Sequence, residues 1–331
     1  MVEYLLEFLV SLARWDLIAL VILLFAMFAS LFGLSKDTLN YSEPFFLIGS
    51  RMTAAGFILL LHQYFFNRAS FQIKASHIKS LFLLGLINIY LTNVAEIWGI
   101  QHMVSAKACL IYSLSPFLAA AVAYFLLKEV LSAKKWLGLC IGFMGLIPIF
   151  MTQSAVEQTA GDIGFISMAE IALLIAVFCS VYGWTLLKKL INEYHYTPLM
   201  ANGVSMVLGG ILALFHSYFS GEAWTPIPVT EFGPFLKNTF WMCLISNIIC
   251  YNLYGYLLKH YSATFMAFAG LITPFFASLF GWYFLDETIT WHYFASIFVF
   301  SIGLTIFYLE ELKRENLFPK TTPSSSELQN T

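Results

Sequence analysis

The stretch Ser105-Ala-Lys-Ala-Cys-Leu-Ile-Tyr-Ser-Leu-Ser-Pro-Phe117 begins an apolar helix that carries Pro116 about a third of the way along and ends at Glu129. A second apolar helix follows, with Gly145 near its end. The same order returns further down the chain. Ser262-Ala starts a helix with Pro274, Glu287 ends it, and Gly303 lies near the end of the next. The proline, the glutamate and the glycine each recur 158 positions on, so residues 105–150 and 262–307 are one unit written twice. Duplicated units of apolar helices are a common plan for transporters, because two halves that rock around a central site expose it to each side in turn.

Composition agrees with that plan. The 331 residues are 60% hydrophobic and 11% charged, with a mean hydropathy of +0.78. Soluble domains carry roughly 25% charged residues, so a water-facing surface cannot be assembled from this chain. Net charge is −2 and the charges cluster between apolar runs, which offers nucleic acid no surface. The five cysteines (Cys109, Cys140, Cys179, Cys243, Cys250) lie inside apolar runs without a CxxC pair, as small hydrophobes do. No metal or cofactor is expected. Residues 1–16 are acidic and lack a basic n-region and a cleavage site, so no cleaved signal is expected. Leu5, Leu6, Phe8, Leu9 and Leu12 instead predict a short helix lying in the membrane interface.

Ten apolar runs are long enough to span, at about 16–34, 44–66, 78–99, 103–127, 135–152, 168–188, 199–219, 238–258, 264–285 and 291–309. They divide the chain into an interfacial segment (1–15), a first five-helix repeat (16–152), an external linker (153–167), a second five-helix repeat (168–309) and a disordered cytoplasmic tail (310–331). With the N-terminus inside, thirteen basic residues face the cytoplasm: Arg14, Arg68, Lys74, Lys79, Lys128, Lys134, Lys135, Lys188, Lys189, Lys259, Lys313, Arg314 and Lys320. Only Lys36, Lys107 and Lys237 fall outside, so both termini are expected in the cytoplasm. Five helices per half is an odd number, which inverts the second half relative to the first. The expected fold is all-α and integral to the membrane: ten transmembrane helices as two inverted repeats around a central cavity.

At this point the residues resemble a family. His102-Met-Val-Ser-Ala-Lys, then Leu-Ser-Pro-Phe, Lys128-Glu129 and a helix ending Gly-Leu146 resemble the EamA repeat of the drug/metabolite transporter superfamily. Tyr261-Ser-Ala, Thr273-Pro-Phe, Asp286-Glu287 and Gly303-Leu match it again. The resemblance implies a ten-helix bundle with a cavity lined by both halves, in a bacterial inner membrane. Relatives carry amino acids, nucleotide-like metabolites, sugars and drugs. In general appearance the chain is similar to the S-adenosylmethionine/S-adenosylhomocysteine exchangers of obligate intracellular bacteria. That implies antiport of a zwitterionic metabolite; export of amino acids or drug-like compounds is the alternative.

Arg51, Glu96, Lys107 and Glu170 are the charges that fall within spans rather than at their inner ends. Each costs about 2.5–3.5 kcal/mol at mid-membrane, so four left unpaired would cost on the order of 10 kcal/mol. All four lie toward the external side, Arg51 about 10 Å deep from Pro44 at 1.5 Å per residue. They either form structural ion pairs, such as Arg51 with Glu96, or bind a zwitterion. In the second case Arg51 or Lys107 takes a carboxylate and Glu96 or Glu170 faces an ammonium or sulfonium. Asn93 and Glu96 share a face of the third span, and Asn247, Tyr251 and Tyr254 share one of the eighth, its counterpart. These faces are the expected cavity lining, where aromatics stack an adenine or meet a cation; interhelical hydrogen bonds are the other use for amides.

Pro116 and Pro274 each remove a backbone hydrogen bond and are candidate hinges. Gly138, Gly142 and Gly145 suit close helix packing, and Glu129 and Glu287 suit turns. HExxH, GxGD, GxSxG and P-loop motifs are missing from the sequence, so an intramembrane enzyme or an ATP-driven pump has no motif to rest on. The expected partners are a small-molecule substrate and the lipid bilayer, and a homodimer is left open. Replacing Arg51 or Glu96 by Ala is expected to abolish transport without loss of folded protein. Near-normal uptake by both variants, at matched amounts in the membrane, would remove them from the site.

Overall fold

A computed structural model describes residues 14–127, 132–145, 147–150, 161–163, 166–259, 261, 266, 269–285 and 291–317. The expected interfacial helix, the turns at Glu129 and Glu287, Ser262-Ala263 and most of the linker lie outside the described residues. In an apolar solvent a backbone finds no water, and the helix lets each run satisfy its own N–H and C=O groups. The runs become α1 (Arg14–Thr38), α2 (Pro44–Phe66), α3 (Ala75–Gln101), α4 (Ser105–Tyr112), α5 (Ser115–Leu127) and α6 (Ala133–Met144). Then come α7 (Met168–Asn192), α8 (Pro198–Phe219), α9 (Phe232–Leu257), α10 (Thr273–Leu285) and α11 (Trp291–Leu317). Six of them, α1, α2, α3, α7, α8 and α9, are long and apolar enough to cross a membrane.

Several starts are written in the sequence. Pro44 and Pro198 occupy the first turns of α2 and α8, where no N–H is missed. The Thr197 hydroxyl caps α8, accepting from Met200 N at 3.1 Å. Ser167 and Glu170 form a reciprocal capping box at α7.

The structure departs from the expected pattern in four places. The fourth run breaks at Ser113–Leu114, ahead of Pro116. Proline has no N–H for the Tyr112 carbonyl, and the Ser115 hydroxyl donates to that oxygen instead. α3 and α9 each contain a π-helical segment, Gly85–Leu91 and Cys243–Cys250, whose starts are again 158 positions apart. The loosened carbonyls are met by side chains just beyond: Thr92 Oγ1 donates to Ile87 O at 2.9 Å, and Asn252 Nδ2 to Asn247 O at 3.2 Å. The expected linker contains a hairpin of β1 (Asp162–Ile163) and β2 (Ile166–Ser167). The expected tail starts late, because residues 310–317, rich in Glu, Lys and Arg, continue α11.

Helix pairing repeats between the halves. α2 lies along α8 and α6 along α11; α1 packs on α9 and α10 as α7 packs on α3 and α5. Exchanging each helix for its counterpart maps these contacts onto themselves. Glycines set the closest approach. A Cβ at Gly49 would meet Leu214 Cγ at 2.6 Å and one at Gly56 would meet Val207 N at 2.7 Å. Positions 49 and 207 correspond across the repeat, as do 56 and 214, so one contact is made twice. Gly56→Val is expected to overpack α2 against α8 at about 1–3 kcal/mol. The purified protein should then melt several degrees lower, while Gly233→Ala, with open space around it, melts as wild type.

Candidate functional site

Between α1, α2, α3, α4, α5, α7, α9 and α10 lies a cavity of about 170 Å³. Its polar end begins at Arg51, 4% exposed and seven residues into α2 from Pro44. One guanidinium nitrogen, Nη2, donates to Asn93 Oδ1 at 2.9 Å, and Asn93 Nδ2 donates to Ile89 O at 2.7 Å, which fixes the amide. Arg51 Nε has no hydrogen-bond partner among the described residues. Glu96 lies one turn along α3, and its Oε2 accepts the Tyr112 hydroxyl at 2.7 Å. The Tyr112 ring meets Phe32 edge-on at 5.5 Å. Arg51 and Glu96 feel each other electrostatically. Among the described residues, however, no carboxylate reaches ion-pair distance of Arg51. A buried guanidinium held by one amide keeps donors in hand for a second partner.

The other end is aromatic. Trp184 of α7 packs on Tyr254 with centroids 4.2 Å apart and on Tyr251 at 5.1 Å. Phe28 of α1 stands edge-on to both tyrosines at 6.5 Å, and Phe25 reaches Tyr254 at 6.4 Å. Ser180 and Ser246 complete the wall.

The structure brings Arg51, Asn93, Glu96, Tyr251 and Tyr254 together on one cavity. It places the other candidates elsewhere. Lys107 and Glu170 form an ion pair of 2.7 Å between the first turns of α4 and α7, with side chains 2% and 0% exposed, away from the cavity wall. Asn247 turns its Nδ2 to Met52 Sδ at 2.9 Å. The π segment explains this: its hydrogen bonds run five residues back, so Ser246, five before Tyr251, shares the tyrosine's face and Asn247 does not. Pro116 and Pro274 sit one residue past Ser115 and Thr273, which line the cavity at corresponding positions.

Tyr112, Trp184, Phe25, Phe28 and Phe32 join the wall without having been singled out by sequence. The 158-residue offset holds a signal for part of this. It pairs Asn93 with Tyr251, Glu96 with Tyr254, Tyr112 with Gly270 and Ser115 with Thr273, and all eight line the cavity. Phe25, Phe28 and Phe32 also recur at helical spacing, but 33 phenylalanines hide the stripe.

A pocket with a charged end and an aromatic end, walled by apolar helices from both halves of a duplicated chain, most of them membrane-length, is the architecture of a multi-pass membrane transporter. The profile of the EamA-like transporter family matches residues 15–151 and again 167–309, and the chain belongs to that family. It is 37% identical over 289 residues to an S-adenosylmethionine/S-adenosylhomocysteine transporter of Chlamydia muridarum, covering 87% of this chain and 90% of that protein. A transporter of the same description from Chlamydia trachomatis serovar L2 is 36% identical over 87% of this chain and 88% of its own length. A protein crystal structure 14% identical in sequence superposes with a TM-score of 0.61 over 90% of this chain and 97% of its own, a likeness of fold.

The Lys107–Glu170 pair ties the two halves together, and removing one partner of a buried pair strands the other charge. Lys107→Met is expected to destabilise the protein by about 3–5 kcal/mol. Lys107→Met with Glu170→Leu should recover most of that in thermal melts of the purified protein. Equal melting of wild type and the single variant would show the pair to be dispensable.

Proposed function

We propose that this chain is a secondary carrier that takes up S-adenosylmethionine across a bacterial inner membrane in exchange for S-adenosylhomocysteine. The observation that carries the reading is the cavity's division into two ends. A zwitterion joined to a purine needs a cation, an anion and flat apolar surfaces in that order. Arg51, Glu96 and the rings of Tyr251, Tyr254 and Trp184 supply them. Arg51 takes the carboxylate through the donors that Asn93 leaves over. Glu96, aligned by Tyr112, takes the ammonium. The names of the Chlamydia relatives, which cover most of the chain, support the same substrates. An exporter of aliphatic amino acids would use the polar end alike but leave the aromatic end without a ligand group; an exporter of aromatic amino acids is the alternative that fills both.

The carrier has ten transmembrane helices in two inverted five-helix repeats (16–152 and 168–309), with both termini in the cytoplasm. The two family matches, the helix pairings that survive exchange of the halves, and thirteen inside basic residues against three outside support this topology. Inversion lets one cavity face each side in turn. Exchange requires only that loaded forms reorient, and the mechanism needs binding and release at this cavity without covalent chemistry.

Cells expressing the chain are expected to accumulate labelled S-adenosylmethionine saturably, and excess S-adenosylhomocysteine should block that uptake and drive efflux of preloaded label. No uptake above an empty-vector control, with protein confirmed in the membrane, would turn the reading toward an amino-acid or drug exporter.

A further inference from the structure

The two proposed ligands share their carboxylate, ammonium, ribose and adenine. They differ at sulfur alone, where S-adenosylmethionine carries a methyl group and a positive charge. A site that tells them apart must therefore read a cation placed between the amino-acid end and the ring. Building on the transport reading, we infer that the aromatic cluster of Phe28, Trp184, Tyr251 and Tyr254 is the element that reads this charge, by cation–π attraction.

Placement supports the assignment. Tyr251 occupies the joint between the two ends of the cavity: it lines the cavity together with Arg51 and Glu96 and packs on Trp184 at 5.1 Å. A ligand whose carboxylate meets Arg51 carries its sulfur, a short spacer further on, past Tyr251 toward Trp184. Three of the four rings there are tyrosine or tryptophan, whose electron-rich faces attract cations most strongly, and enclosure away from water strengthens the attraction. Centroid separations of 4.2–6.5 Å make one continuous cluster. Three of its members, Tyr251, Tyr254 and Trp184, come from the second half, whereas Arg51, Asn93 and Glu96 come from the first. The repeat has thus diverged so that the first half holds the amino-acid end that both ligands share, and the second supplies most of the rings that the sulfur and the purine meet.

The test is displacement of labelled S-adenosylhomocysteine from purified protein by each unlabelled ligand. Trp184→Leu and Tyr254→Leu should weaken S-adenosylmethionine about five- to tenfold relative to S-adenosylhomocysteine. Trp184→Phe should restore part of the preference, and Arg51→Gln should weaken both ligands in proportion. Where Trp184→Leu reduces the folded yield, biosynthetic replacement of tryptophan by fluorotryptophans keeps the ring's shape and drains its face. Affinity for S-adenosylmethionine relative to S-adenosylhomocysteine should then fall stepwise with fluorine number. Equal losses for both ligands across these variants would overturn charge reading and leave the cluster as a purine stack. Failure of the wild-type protein to bind either ligand would instead overturn the transport reading, and this inference with it.

Discussion

A guanidinium cannot rest in an apolar interior without something to share its charge, and Arg51 sets that demand on the rest of the cavity. Asn93 answers part of it, but an amide offers an acceptor and no counter-charge. Glu96 lines the same cavity as Arg51 yet is occupied by Tyr112. The chain spends its one close buried ion pair elsewhere among the described residues, on Lys107 and Glu170. What results is a cation held in place and incompletely matched, the condition under which a passing carboxylate is worth binding. The helices around it are arranged to keep that condition: glycines at 49, 56 and 210 draw α2 onto α8, which fixes the depth of Arg51.

The π segments serve the same end by a different route. Each inserts itself just before the residues that line the cavity, in α3 before Asn93 and Glu96 and in α9 before Tyr251 and Tyr254. A wider turn frees carbonyls and rotates the next stretch of helix about its axis. The side chains of Thr92 and Asn252 add hydrogen bonds to carbonyls of these segments, at Ile87 and Asn247.

Much of the fold was legible because lipid imposes length and apolarity, and duplication imposes recurrence. The runs, their order and the repeat of Pro116, Glu129 and Gly145 stem from those two facts. Buried charge made Arg51 and Glu96 visible for the same reason: such residues are expensive and rare. The rest was hidden where periodicity fails. A π turn leaves no trace in residue type, so Asn247 reads as cavity-facing when it lies against Met52. Trp184 and Tyr112 were hidden by abundance, since 18% aromatic content gives no ring priority over another. Lys107 and Glu170 looked like Arg51 and Glu96 in every property a sequence displays, and only distance separates a pair that satisfies itself from one that does not.

The Lys107–Glu170 contact has one further implication. It joins the first turn of α4 to the first turn of α7, one helix from each half. The corresponding positions across the repeat are Phe265 and Leu12, which carry no charge. A duplicated chain with identical ends would part either end with equal ease. Here one end is held by an electrostatic bond sealed from water, and its opposite number has no charges at the matching positions to make another. On the alternating-access reading proposed above, the duplication supplies two ways for the molecule to open, and this single pair of side chains distinguishes them.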